Sequence, residues 1–417
     1  MGQNFSSMHL PLSRDGWLLF AACGVRSLAY GFLSVILGLY LDTIGLSTTV
    51  IGWIFTAALA GGAIMTILIT SVADTIGRKQ LLILGALLMA LAGWLFAVNS
   101  NPLVLAVAAV FGTISPSGKE VGPFLSIEQA ILPQTTEDLY RTKVFSAYNL
   151  VGSIFGALGA LAVGLTSLLP LSPLSGYRFL IWCYVVCALS MMVFFSLLSP
   201  FIEASTGITA QNSRFGVQRS RGIVIKLAAL FSLGAFAGGL IVQSIIAYWF
   251  YLRYDTDLKM LGGIFLGTNL LAALSFLSAP AIARRFGLLK TMVFTHLPSN
   301  VLLLLVPLMP TLQSAVAMLL VRNLLSQLDV PTRQSYTMAV VHPEERAASA
   351  GILSVSRNAG AAIAPLFTAP ILVNPGLGLP FLLAGGLKIV YDLWIFAVFR
   401  NLRPPEESAT KPEQGSV

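Results

Sequence analysis

Asp74-Thr75-Ile76-Gly77-Arg78-Lys79 is a short charged turn set between two long apolar runs. Residues 50–72 before it carry no charge, and neither do residues 80–98 after it. Each run is long enough to cross a bilayer, because about 20 residues at ~1.5 Å rise cover the ~30 Å hydrocarbon core. A basic turn between two spans therefore marks one side of a membrane. The whole chain has the same character: of 417 residues, 56% are hydrophobic and 10% charged, where a soluble protein carries about 25% charged residues. With a mean hydropathy of +0.83, this is the composition of an all-α, polytopic membrane protein.

Apolar runs, read against Gly, Pro and charge punctuation, predict twelve spans. They cover residues 17–41, 48–72, 80–98, 102–132, 144–168, 177–198, 223–252, 258–282, 289–308, 312–340, 347–373 and 377–399. The longest interruption, 199–222, is polar and holds Arg214, Arg219 and Arg221. It divides the chain into an N-terminal six-helix bundle (1–198), a linker (199–222) and a C-terminal bundle with a short tail (223–417). With the N-terminus placed inside, 16 of the 25 basic residues fall in inner segments and three, Arg178, Arg253 and Lys259, fall outside. That asymmetry predicts cytoplasmic termini and a cytoplasmic linker in a cell (inner or plasma) membrane. It also accounts for the net charge of +8 without nucleic acid. The first fifteen residues lack the pattern of a cleavable signal, so the first span is expected to be retained. The halves resemble each other: Gly52–Gly77 lies on Gly262–Gly287 without a gap, Pro133 matches Pro343, and Asn149 matches Asn358. Duplicated six-helix halves suit a transporter with its site between them near the membrane midplane.

The turn Asp74-x-x-Gly77-Arg78-Lys79 between the second and third spans resembles the loop signature of the major facilitator superfamily. Twelve spans, a long central loop and cytoplasmic termini extend the resemblance over nearly the whole chain. The family's leading Gly is replaced by Thr70 or Ser71, and the second copy, Arg284-Arg285-Phe286-Gly287, lacks the acid. The resemblance implies a conformational latch at Asp74, Gly77, Arg78 and Lys79. It also implies that spans 1, 4, 7 and 10 line a central cavity.

Ten ionisable residues fall inside predicted spans, where each costs at least ~2.5–3.5 kcal/mol and needs a partner or a function. Seven lie on helices that the resemblance assigns to the cavity: Arg26 in the first; Lys119, Glu120 and Glu128 in the fourth; Arg322, Asp329 and Arg333 in the tenth. The seventh adds Gln243 and Tyr248, and the tenth adds Gln327. Arg26, Lys119, Gln243, Arg322 and Gln327 are expected to bind substrate, and Glu120, Glu128 and Asp329 to carry protons, since desolvation favours a carboxylate's neutral form. The fourth span reads Gly112-Thr113-Ile114-Ser115-Pro116-Ser117-Gly118-Lys119-Glu120-Val121-Gly122-Pro123. Two prolines and three glycines predict a broken helix, which is tolerated at membrane depth where it lines a wet cavity. Asp329 and Arg333 are four apart and can pair. Arg26 has no acid at helical spacing in its own span, so Glu120 and Asp329 are its expected partners. Lys388 and Asp392, also four apart, predict a peripheral structural pair in the last span. Ion pairing between helices is the alternative for every one of these charges.

Catalytic signals do not emerge. His9, His296 and His342 are isolated, Cys23, Cys183 and Cys187 sit in apolar runs without metal-ligand spacing, and there is no phosphate-cradling Gly-Lys-Ser/Thr loop. The expectation is a monomeric secondary active transporter without cofactor or metal. It would move a small organic or anionic solute by alternating access and be coupled to protons. Family frequency points to efflux; an importer, or a transport-silent sensor or assembly protein of the same fold, are the alternatives.

Overall fold

In the computed structural model the chain is described over residues 12–119, 124–136, 141–203, 217–342, 345–372 and 375–402. Fifteen α-helices and no strand run through these segments. The first bundle holds α1 (Arg14–Thr43), α2 (Thr48–Ile76), α3 (Arg78–Val98), α4 (Pro102–Phe111), α5 (Phe124–Ile131), α6 (Arg141–Leu165) and α7 (Pro173–Ser196). The second holds α8 (Arg221–Gly239), α9 (Gln243–Tyr254), α10 (Leu258–Phe286), α11 (Leu288–Leu305), α12 (Leu312–Ser326), α13 (Asp329–Val340), α14 (Arg346–Ile371) and α15 (Leu379–Phe399). One helix per span is therefore corrected in three places, because the fourth, seventh and tenth spans are each split in two. The Gly/Pro-rich stretch announces the first split. Gly238 and Gly239 precede the second, and Pro331 cannot donate to the carbonyl of Gln327, where α12 ends. Nine stretches among the described residues are long and apolar enough to cross a membrane. Lipid-facing surface is legible on α3, where exposed Leu84, Leu87, Leu91 and Trp94 form one stripe at helical spacing.

Local chemistry explains the connections. Asn101 caps α4 through Leu103 N, with Pro102 in the first turn, and Asp257 caps α10 through Met260 N at 2.7 Å. The duplication is visible in backbone detail. α2 and α10 both have 29 residues, and each ends on a glycine at positive φ, +105° at Gly77 and +86° at Gly287. Any other L-residue would be strained at these reversals. The entries to α1 and α8 are held alike. Ser13 N donates to Thr135 O, while Gln218, Arg219 and Ser220 donate their amides to Glu345.

The start of α1 and the end of α15 lie on one face. Asp15 at the start of α1 accepts from Ser199 N, and Tyr336 of α13 donates to Leu402 O. The bundles meet towards the opposite face, where α2 packs on α14, α6 on α10 and α1 on α9. Small residues allow the approach: Gly262 lies against the backbone of Ala160 and Gly164, and Gly38 against Ser244 and Tyr248. Tyr248 closes the contact by donating to Asp42 at 2.8 Å.

Candidate functional site: a cationic cavity between the bundles

The three split helices converge at mid-depth. In the fourth span, residues 112–119 leave the helix, with Thr113 and Gly118 at positive φ. Ser115 Oγ donates to Lys119 O at 2.6 Å, and the carbonyl of Pro116 accepts both the amide and the hydroxyl of Ser244, each at 3.0 Å. A carbonyl freed by one broken helix thus satisfies the first turn of another, as membrane depth requires. Gln243 Nε2 donates to Ser34 Oγ on α1 at 2.9 Å, and Ser244 Oγ lies 2.6 Å from Ser34 O. A Cβ on Gly118 would sit 2.7 Å from Ser34 Oγ, so this crossing needs its glycine. At this junction Ser117, Lys119 and Gln243 line a cavity of about 560 Å³ that lies between it and the face where α1 begins.

Four of the five residues expected to bind substrate, Lys119, Gln243, Arg322 and Gln327, line this cavity, with Asp329, expected to carry protons, and Arg333 beside them. Lys119 Nζ reaches Gln327 Oε1 at 3.4 Å and so spans the two bundles. The expected Asp329–Arg333 pair is present at 2.6 Å. Arg357 and Lys388 also face the cavity, giving it five cations against the single carboxylate Asp329 among its described lining residues. Arg322, Arg357 and Lys388 make no side-chain hydrogen bond or ion pair with a described residue. Arg322 Nε is buried without a partner among those residues. Unpaired cations next to low-dielectric walls are costly, and an anion in the cavity would offset that cost.

Two expected pairings are corrected. Arg26 does not pair with Asp329; it meets Glu128 in a two-pronged contact, at 2.8 and 2.7 Å, with both side chains completely buried. Tyr148 donates to the same carboxylate and accepts from Arg26 at 3.0 Å, and Phe124 covers the guanidinium at 5.0 Å. Arg26 and Glu128 are packed inside the first bundle and are not part of the cavity wall. Lys388 does not pair with Asp392 either. Asp392 takes His296 Nδ1 at 2.8 Å and Asn300 Nδ2 at 2.8 Å, which leaves Lys388 for the cavity. His296 and Asn300 are four apart on one face of α11, the signal that would have found them. Glu120 lies outside the described residues.

Around the opening turn, Glu203 accepts from the amides of Arg78 and Lys79 at 2.6 and 3.1 Å, and Lys79 Nζ donates to Leu198 O at 2.7 Å. The acid seated on the N-terminus of α3 thus comes from the chain just after α7, where it complements the helix dipole. The side chain of Asp74 lies outside the described residues. On the second bundle, desolvation pushes the Glu345 carboxyl up, but the amides of Gln218, Arg219 and Ser220 outweigh it and hold the group at about 2.

Comparison with known proteins agrees with this architecture. The sequence is 27% identical to an uncharacterized membrane protein of Saccharomyces cerevisiae, YJR124C, over 93% of this chain and 94% of that one. Among solved structures, the nucleoside transporter NupG superposes with a TM-score of 0.75 at 14% identity, covering 93% of this chain and 100% of its own. The D-xylose-proton symporter gives 0.73 at 12% identity, covering 95% and 99%. The human organic anion transporter MFSD10 gives 0.64 at 18%, covering 92% and 99%. At these identities the structural likeness is one of fold. The model of the Major Facilitator Superfamily matches residues 19–326, about three quarters of the sequence, and the chain belongs to that family of membrane transporters.

Proposed function

We propose that this protein is a secondary active transporter of a small organic anion, coupled to protons. It works by rocking the bundles 1–198 and 223–417 about the cavity, with 199–222 as their tether. The observation that carries the reading is the excess of cavity cations, three of them unpaired among the described residues. Arg322, Lys119, Arg357 and Lys388 would hold the anion, and Gln243 and Gln327 would orient it. A planar guanidinium such as that of Arg322 suits a carboxylate or phosphate group. A proton taken up at the cavity wall adds one positive charge where the anion binds, while Asp329 stays paired with Arg333. Each ligand then raises the affinity for the other, which is the thermodynamics of cotransport. Efflux by exchange, favoured by family frequency, would need the opposite sign of coupling. Direction follows from the gradient: with protons more concentrated outside, the anion moves in.

Purified protein in proteoliposomes tests this. Under an inward proton gradient a panel of organic anions should include one that accumulates, while neutral and cationic analogues do not. Cotransport of one proton with a monoanion is electroneutral, so clamping the membrane potential should leave uptake unchanged. Proton exchange for an anion would be strongly voltage-driven. Arg322→Ala should lower anion counterflow at least tenfold with normal melting. Uptake of cations alone, or anion flux indifferent to Arg322, would discard the reading.

A further inference from the structure

His296, Asn300 and Asp392 form a buried polar cluster between α11 and α15 that the anion site does not use. Asp392 and Asn300 are fully buried, and His296 is 6% exposed and lines the cavity. Asp392 holds His296 Nδ1 through both oxygens, at 2.8 and 3.1 Å, and accepts from Asn300 Nδ2 at 2.8 Å. Asn300 Oδ1 is buried without a partner among the described residues. Asn300 alone already joins the two helices, so a purely structural tie has no need of an imidazole at the cavity wall. With Nδ1 committed to Asp392, Nε2 is the ring nitrogen left for cavity water. An imidazole oriented by a carboxylate, with its second nitrogen free, is the arrangement of a proton carrier.

We propose that the His296–Asp392 pair is the proton-binding site that drives this transporter, taking up a proton at Nε2 from cavity water and returning it there after the bundles rock. The proposal rests on the anion reading above and deepens it. The surrounding charges give the pair its coupling. On α15 it faces Lys388 and Tyr391, on α12 Arg322, on α13 Asp329 and Arg333, and from α14 Arg357. α10 carries charge only at its ends, in Lys259, Arg284 and Arg285; α11 has Lys290 in its first turn; and α8 has Arg221 and Lys226 near its start. Four cavity cations therefore oppose an imidazolium, while Asp392 and Asp329 favour it. An anion bound to those cations cancels their repulsion, so the proton and the anion each promote the other's binding. A proton shared in this way leaves only when the anion leaves.

The chain has three histidines, which makes nitrogen NMR of the full-length, 15N-histidine-labelled protein in detergent a direct test. The His296 signal, identified by its loss in His296→Asn, should titrate. Its midpoint should move up in the presence of a cavity anion, probed with acetate, benzoate, succinate, citrate and inorganic phosphate in turn. Asp392→Asn, which keeps the shape but removes the charge, should move the midpoint down. In proteoliposomes, His296→Asn with normal melting should lose accumulation driven by the proton gradient. A ring that holds one protonation state from pH 4 to 9, or a His296→Asn protein that still accumulates anion against its gradient, overturns the proposal. If the ring titrates and responds to Asp392→Asn but to none of the anions, the proton site stands and the anion reading fails. Should Asp392→Asn not fold, titration of the parent with and without anion still decides.

Discussion

Arg26 shows how a residue can be conspicuous in sequence and still be misplaced in function. A charged side chain in the middle of an apolar span demands a partner, and that much is legible. Which partner it takes depends on the rotation and depth at which α1, α5 and α6 pack, and a single sequence does not carry that register. The outcome is a sealed cluster of Arg26, Glu128 and Tyr148 whose energetics differ from those of a binding site. Removing one member of a buried pair strands the other, at a typical cost of about 3–5 kcal/mol, whereas replacing both with apolar groups is far cheaper. Glu128→Ala should therefore lower the melting temperature sharply, and Arg26→Met with Glu128→Leu should recover most of it. Counterflow in the double variant separates the roles. A folded double variant that has lost all anion exchange would show that the cluster does more than hold helices together. His296 was missed for the converse reason: alone in sequence, it finds Asp392 96 residues later, across a helix interface.

Among the elements, the repeat was the most legible feature and the helix breaks the least. The alignment of Gly52–Gly77 on Gly262–Gly287 recurs as two helices of 29 residues, each closed by a glycine at positive φ, because a backbone requirement leaves a residue-level mark. The break near Gln327 leaves a weaker one, a single proline four residues on. Glycine also sets how closely helices approach. A Cβ at Gly159 on α6 would fall 2.1 Å from Leu28 O on α1, while a Cβ at Gly176 meets nothing within 4 Å. Gly159→Ala should destabilise by about 1–3 kcal/mol through overpacking, and Gly176→Ala should be neutral or mildly stabilising, both read from thermal melts. The entry to α8 yields a pH prediction. Glu345 is held at about 2 against an ordinary value of 4.5. A depressed carboxyl stabilises the fold fully above pH 4.5, and that stabilisation drains away as pH falls towards 2. Glu345→Gln should melt lower than the parent at neutral pH, and the difference should shrink across that acid window. A difference that is constant with pH would mean the amides gain nothing from the charge.

For the molecule as a whole, the question is what holds it open on one side. Cross-bundle ties cluster towards the face away from the start of α1: Tyr248 to Asp42, Gln243 and Ser244 to Ser34, and the glycine contact of α10 on α6. The cavity lies between that closure and the face where α1 begins. Six-plus-six duplication and a central cavity could be inferred from the sequence, but not which end is closed, because both ends draw on the same small and polar residue types. Alternating access requires these ties to break when the other face closes, so they set the balance between the two states. Tyr248 is the cleanest to remove, since its hydroxyl makes a charge-assisted bond to Asp42 and its ring is otherwise packed. Such a bond is worth about 1.5–3 kcal/mol, enough to shift a two-state population at least tenfold. Spin labels at Leu171 and Leu308, exposed positions on the far face of the two bundles, in a background with Cys183 and Cys187 replaced, report the opening directly. Tyr248→Phe should enlarge the long-distance component of their separation, and Asp42→Asn should enlarge it to a similar extent. If neither change moves the distribution, the glycine contact of α6 with α10 holds that face closed by itself, and the polar tie only sets register.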